Sequence, residues 1–414
     1  MAAIQLLTFS TLYPNNERPN HGIFVENRLR QLLTTGSVSS TVVAPVPWFP
    51  CQWSCFGDWA LNAGVLHREV RNGIAVHHPR FPVIPRFGMG VAPYLLYRGA
   101  WPAVRYLLAD GQRFDAIDAH YVYPDGVAAV WLGQRLGLPT VITARGTDVN
   151  LIPRYAMPRR LIRQAIRGAA ALIGVSAAIR TALLELGAPP DKVTVLRNGV
   201  DLELFRPLDR VAVRAALGLT RNTLISVGLL IERKGHHRII EAMQRLPNFD
   251  LLIVGDGPDH DRLASLVKRH ELEARVRLLG SRPHTELTQY YSAADALVLA
   301  SSREGWPNVL LEAMACGTPV VASNIWGNPE IVQGREAGLI MRDNTPEGIA
   351  AAVLHLFDKL PSRSETRAYA ERFSWDATTE GQIALFSNVL ATHASRKGLD
   401  TSHQHANING NRIC

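Results

Sequence analysis

Two carboxylates stand eight residues apart in the stretch Ser301–Ser323, SSREGWPNVLLEAMACGTPVVAS. Glu304 falls in the turn cluster Ser301–Pro307, and Glu312 sits about one turn into the helix that follows. Pro307 suits the first turn of that helix and Gly317 the position just past its end. The apolar runs Ala296–Ala300 and Thr318–Ala322 read as buried strands on either side. A loop running into a helix N-terminus offers backbone N–H groups and the positive end of a dipole, which together attract an anion. Carboxylates beside an anion site make chemical sense when the ligand also carries hydroxyls, as a nucleotide sugar does. The same residues also fit an ordinary βαβ unit with two solvated glutamates.

Other residues could join such a site. Arg233 and Lys234 lie in a strand-to-helix loop (Gly228–Gly235) where they could hold phosphate, or simply be solvated. Gly255 and Gly257 form a Gly-x-Gly after the strand Asp250–Val254, part of a dinucleotide fingerprint. His120 ends the strand Ala116–His120, and ligands of open α/β sheets bind beyond the carboxyl ends of strands. Gly22 precedes a helix, and Arg145 to Asp148 form a loop after the strand Thr140–Thr143.

These residues need elements to position them, and the chain supplies two α/β series. The first opens with a strand at Ile4–Phe9, a polar loop, a helix at Ile23–Leu33 and a strand at Val42–Ala44. It continues through the helix Val127–Leu136, the basic helix Arg159–Ala170, a strand at Leu172–Val175, the helix Ala177–Leu186 and a strand at Val193–Leu196. After a linker at Phe205–Asp209 come strands at Thr223–Val227, Asp250–Val254 and Val276–Leu279. Helices at His236–Arg245, Asp259–His270 and Glu286–Ala293 alternate with them. Trp375–Ala391 reads as a final helix, and the polar residues 392–414 read as a disordered tail. The fold class is α/β, with two doubly wound Rossmann-like domains. The boundaries fall at 1–205, with 376–391 returning to pack on that domain, and at 206–375.

The totals agree with two domains: 414 residues, 47% hydrophobic and 19% charged. The apolar runs are too short to span a bilayer, and the N-terminus lacks the marks of a signal peptide, so a cytoplasmic location is expected. Four cysteines without zinc-site spacing are expected to be reduced. Charge is unevenly divided. Residues 1–207 carry 21 Lys+Arg and 13 Asp+Glu, net +8, while residues 208–414 carry 23 of each. A basic first half points to an anionic partner, and no nucleic-acid-binding motif is present. The aromatic stretch 45–59 and the arginine- and aromatic-rich stretch 80–108, which includes Arg80, Arg86, Arg98 and Arg105, suit either the inner face of a membrane or an acceptor.

Five motifs then coincide in order. SREGWPNVLLEAMACGTPVVAS resembles the Glu-x7-Glu signature of family 4 retaining glycosyltransferases, which have the GT-B fold. VGLLIERKGHHRIIEAM resembles their phosphate loop, VGDGP their glycine turn, IDAH their strand-end histidine, and RNGVDLELFRP their domain-linking stretch. The resemblance implies that Glu304 contacts donor-sugar hydroxyls and that the backbone of Gly305, Trp306, Asn308 and Val309 faces the sugar and diphosphate. It implies that Glu312 holds the ribose, that Lys234 aided by Arg233 neutralises the β-phosphate, and that His120 reaches the donor sugar. Gly22, Arg145 and Asp148 would lie on the acceptor side. Three positions depart from the family pattern. Leu229 stands where arginine is common, Arg145 where histidine is usual, and Gly22 is single where two glycines are frequent.

The expected activity is metal-independent retaining transfer of a hexosyl-type sugar. The donor would be a nucleotide diphosphate sugar, acting as co-substrate with no cofactor, and the acceptor lipid-linked or a polysaccharide. The competing readings are a nucleotide-sugar epimerase or hydrolase of the same fold, and a non-catalytic sugar-nucleotide-binding protein.

Overall fold

The computed structural model describes residues 3–84 and 88–409, so Arg86 and residues 410–414 lie outside it. Its contacts divide the chain into two units. The first comprises Met1–Val175, Arg180–Leu196 and Thr379–Cys414, and the second Ser176–Ile179 and Arg197–Thr378.

The second unit holds the Ser301–Ser323 stretch. Its six strands run, edge to edge, Val276–Leu278, Phe249–Val254, Asn222–Val227, Ala296–Leu299, Val320–Ser323 and Gly338–Met341. Every adjacent pair is parallel. Parallel strands covered on both faces read as near-continuous apolar runs, and LLIV, ALVL and VVAS are such runs. The order is 3-2-1-4-5-6, so the sheet reverses direction between Asn222–Val227 and Ala296–Leu299. A crevice opens beyond the carboxyl ends of two strands at such a reversal. The loops leaving these two strands carry Lys234 and Glu304.

The first unit is an eight-stranded sheet in the order Val193–Val195, Ala171–Gly174, Thr140–Ala144, Ala116–His120, Ile4–Phe9, Val38–Val43, Ile74–His77 and Arg68–Arg71. All pairs are parallel except the edge hairpin, where Arg68–Arg71 runs antiparallel to Ile74–His77. Its reversal lies between Ile4–Phe9 and Ala116–His120, which places the Ser10–Gly22 loop beside His120. Phe386 and Val389 of the final helix join Leu6, Leu32 and Val141 in this core.

The unit boundary differs from the linker expected at residues 205 and 206, for a physical reason. Arg197–Val200 is already tied to the second unit: Val200 N donates to Phe373 O at 2.9 Å and Trp306 Nε1 to Asn198 O at 2.9 Å. The final helix spans Asp376–Asn409, through most of the stretch whose composition reads as disordered. The 80–108 stretch folds largely into an 18-residue helix, Ala92–Ala109. Among the described residues, no helix is long and apolar enough to cross a membrane. Cys51, Cys55 and Cys316 are free thiols.

Candidate active site

At the crevice of the second unit, Lys234 Nζ lies 2.7 Å from Glu304 Oε1, and Ser301 Oγ donates to the same oxygen at 2.7 Å. Burial alone would raise the Glu304 pKa. The Lys234 ammonium, with hydrogen bonds from Lys234 and Ser301 and the more distant Arg233, overcomes that and holds it below the ordinary carboxylate range. The pair is therefore ionised and largely shielded from water, its side chains being only 14% and 9% exposed.

The backbone fixes this contact. Gly235, at φ +75°, brings its turn so close to the end of the Ala296–Leu299 strand that a Cβ would sit 2.1 Å from Ala300 O. Ser302 N donates to Arg233 O at 2.8 Å, and Arg233 Nη1 to Arg303 O at 3.3 Å, stitching the two loops together. Asn344 Nδ2 donates to Ala300 O at 2.9 Å behind them. Leu229 stands at the loop surface, 59% exposed.

Gly255 and Gly257 pack closely against the Gly228–Gly235 loop. A Cβ on Gly255 would lie 1.9 Å from Gly228 O, and one on Gly257 would lie 2.6 Å from Leu230 O. Leu230 N also donates to Asp256 O at 2.9 Å. The Gly-x-Gly turn is the bed on which the Gly228–Gly235 loop rests.

The helix Asn308–Ala315 points its N-terminus at the same crevice. Among the described residues, nothing accepts a hydrogen bond from the backbone N–H of Gly305, Trp306, Asn308 or Val309. These amides stand ready for an anion. Further along, Glu312 is buried, with Tyr291 Oη donating to one carboxylate oxygen at 2.9 Å and His284 Nε2 lying 3.1 Å from the other. Burial would lower the His284 pKa, but the charge and hydrogen bond of Glu312 raise it. Ser301, His284 and Tyr291 carry no spacing signal in the sequence. They are found only because the fold closes on the two glutamates.

In the first unit, His120 is buried, 1% exposed, and held from both sides. Arg145 Nη2 approaches Nδ1 at 2.7 Å. A guanidinium can only donate, so Nδ1 accepts and the ring proton sits on Nε2, which lies 3.2 Å from Asp118 Oδ2. Burial is the largest influence on the imidazole and lowers its pKa, so the ring is neutral. Burial and the nearby Arg28 bring the Arg145 pKa down to about 9. Asp118 and His120, two residues apart on a strand, share one face, so IDAH contains the signal for the carboxylate as well as for the histidine.

Asp148 is fully buried and accepts from the backbone N–H of Val122 at 2.8 Å, Gly146 at 2.7 Å and Arg145 at 3.1 Å. It holds the loop's shape. Gly22 lets the Ser10–Gly22 loop fold on itself, since a Cβ there would lie 2.3 Å from Leu12 O. The fold therefore gathers Lys234, Arg233, Glu304, Gly305, Trp306, Asn308, Val309 and Glu312 around the crevice of the second unit, with Gly255 and Gly257 beneath it. In the first unit it gathers His120 and Arg145 with Asp118. Among the described residues, no group of three or more His, Cys, Asp or Glu is placed to hold a metal ion.

A sheet reversing at a cation–carboxylate pair and an open helix N-terminus, in a chain with a second doubly wound unit, defines a class. The chain is a GT-B glycosyltransferase of the family 4 type. Residues 59–204 match the family described as Glycosyltransferase Family 4, and residues 211–373 match Glycosyl transferases group 1. It is similar to TuaC of Bacillus subtilis (strain 168), a glycosyltransferase named for teichuronic acid biosynthesis. The two are 26% identical over 367 residues, covering 84% of this chain and 88% of that one. It is 33% identical over 226 residues to D-inositol 3-phosphate glycosyltransferase of Mycobacterium tuberculosis (strain F11), covering 51% of this chain and 47% of that protein. In fold it resembles sucrose-phosphate synthase from Thermosynechococcus elongatus, with a TM-score of 0.76 at 21% identity, covering 94% of this chain and 100% of that one. It also resembles Anabaena HepE in complex with UDP-glucose, with a TM-score of 0.70 at 20% identity, covering 93% and 99%.

Proposed function

We propose that this glycosyltransferase moves a hexosyl-type sugar from a nucleoside diphosphate sugar to a lipid-linked or polysaccharide acceptor in cell-surface glycan synthesis, with retention of configuration and without a metal. The observation that carries the reading is the meeting of Lys234, Glu304 and the open amides of Gly305, Trp306, Asn308 and Val309 at the sheet's reversal. Charge grows on the diphosphate as the glycosidic bond breaks. A cation and dipoles already in position stabilise that growing charge more than they stabilise the ground state. Lys234, aided by Arg233, would sit against the β-phosphate and the helix N-terminus against the same diphosphate. Glu304 would hold sugar hydroxyls, and Glu312, steadied by Tyr291 and His284, would hold the ribose. The UDP-glucose complex of HepE supports a nucleotide-sugar donor, and the likeness to TuaC supports a cell-surface glycan acceptor.

His120 is assigned a contact with a sugar hydroxyl. Its one ring proton, on Nε2, faces Asp118, so donation to a sugar hydroxyl would require that proton to turn away from the carboxylate. Arg145 orients the ring, and Asp148 shapes the acceptor-side loop.

The test is a panel of UDP- and GDP-sugars with a membrane lipid extract as acceptor source. Acceptor-dependent release of nucleotide that survives EDTA is expected, with NMR showing a product anomer of the donor's configuration. Epimer formation without acceptor would favour the epimerase reading instead. Turnover abolished by EDTA and restored by a divalent ion would overturn metal independence.

A further inference from the structure

Two stretches, lying mostly in the first unit, are rich in arginine, of which Arg71 is paired with Glu26 and Glu69 from outside them. Residues 70–109 hold five arginines and residues 149–184 hold six, and neither stretch contains an aspartate or a glutamate. They are far apart in sequence, but the fold joins them. The turn Gly88–Gly90 packs against the helix Ala156–Gly168, and a Cβ added at Gly90 would meet the Met157 side chain at 3.3 Å.

Around that junction stand large apolar side chains that the core does not take. Tyr155 is 53% exposed, Met157 55%, Met89 43%, Val91 45% and Tyr94 52%. The helix beneath them is two-faced. Pro158, Ile162, Ala165 and Ile166 are buried, while Arg159, Arg160, Arg163 and Arg167 are exposed. Exposed apolar side chains gathered in one place mark an interaction surface. With aromatic and methionine side chains at the centre and guanidinium groups around them, the complementary partner is apolar just below an anionic layer. A phospholipid bilayer with acidic headgroups has that profile: the apolar groups reach the headgroup–acyl boundary while the arginines stay among the phosphates.

The second aromatic stretch lacks this complementarity. Pro45–Trp59 has no basic residue and one acid, Asp58. Its rings pack on one another, with Phe49 centred 5.3 Å from Phe56 and 6.0 Å from Trp59. Charge separates the two aromatic surfaces and selects the first.

We infer that the face formed by Gly88–Tyr94 and Tyr155–Arg163 docks on a bilayer surface rich in anionic phospholipid. This deepens the reading of a lipid-linked acceptor, but binding to lipid is measured apart from turnover, so each can fail alone. The full chain is sedimented with phosphatidylcholine vesicles with and without phosphatidylglycerol, at low and at high salt. Binding is expected only to the anionic vesicles, and it should weaken with salt. The double variant Arg159→Glu, Arg160→Glu should lower that binding by at least about twentyfold, since each basic side chain at an anionic surface contributes roughly fivefold. The same variant should keep its nucleotide release with a water-soluble acceptor, which also shows that it folds. Tyr155→Ser with Met157→Ser should weaken binding while leaving its salt dependence unchanged. Equal binding to both vesicle types would overturn the inference, as would undiminished binding by the double variant. A concentration-dependent dimer that the same substitutions abolish would assign the face to a second copy of the chain and overturn it too.

Discussion

Lys234 and Glu304 neutralise one another in the structure, so in the proposed reaction an arriving diphosphate would have to compete for a cation that is already engaged. A hydrogen bond to a charged group contributes about 1.5–3 kcal/mol, so Lys234→Ala should slow turnover about tenfold to a hundredfold or more, measured as kcat/KM. An unchanged rate would remove Lys234 from the mechanism. His236, two residues after Lys234, gives a prediction in pH. It is buried, and burial followed by the Lys234 charge brings its pKa down from 6.5 to about 4. Below pH 6.5 the unfolded chain binds a proton that the folded chain refuses. This contribution to stability is complete above about pH 6.5 and is lost as the pH falls toward 4, by at most about 3 kcal/mol. The fall in unfolding free energy between pH 7 and pH 4, read from denaturant titrations, should be smaller in His236→Asn than in the parent by up to about that amount. At this scale the sequence reveals the residues that a spaced motif marks, Glu304, Glu312 and Lys234. It hides those that meet them only in space. Tyr291 and His284 come to Glu312 from 21 and 28 residues away, and no local period links them.

Among elements, the bed beneath the Gly228–Gly235 loop is the sensitive part. A methyl group at Gly255 would overlap Gly228 O, and the φ of +147° suits no other residue well. Gly255→Ala should lower stability by about 3 kcal/mol and weaken nucleotide binding with it, as read by thermal unfolding with and without UDP. A stable variant with normal affinity would contradict the packing role. The strand–helix alternation of the second unit is legible because its strands are buried on both faces and its helices carry clear end signals. The hairpin Arg68–His77 is not, because its strands are four residues each and half exposed. The helix Ala92–Ala109 is masked by Pro93 and Pro102. Pro93 falls in its first turn, where proline is tolerated, while Pro102 lies within the helix and tertiary packing accommodates it.

Over the whole molecule, the first unit is made from separated pieces of chain. Phe386 is fully buried in its core, so Phe386→Ala should destabilise that unit by about 3–5 kcal/mol. A chain ending at Thr378 should lose the first unit's unfolding transition while keeping the second's, as calorimetry would show. Retention of both transitions would mean that the final helix is dispensable. The division into two doubly wound units is visible in sequence order. The assignment of the final helix to the first unit's core is visible only once Phe386 and Val389 find Leu6 and Leu32, since their own spacing fits any amphipathic helix.

That arrangement also dictates an order of birth. The last piece of the first unit leaves the ribosome about 180 residues after Leu196, a delay of roughly 10–35 s at ordinary synthesis rates. During that interval the entire second unit has emerged and can fold. The half of the protein encoded first is thus finished last, and its incomplete sheet must wait with the Leu6 and Leu32 side chains uncovered until Phe386 arrives.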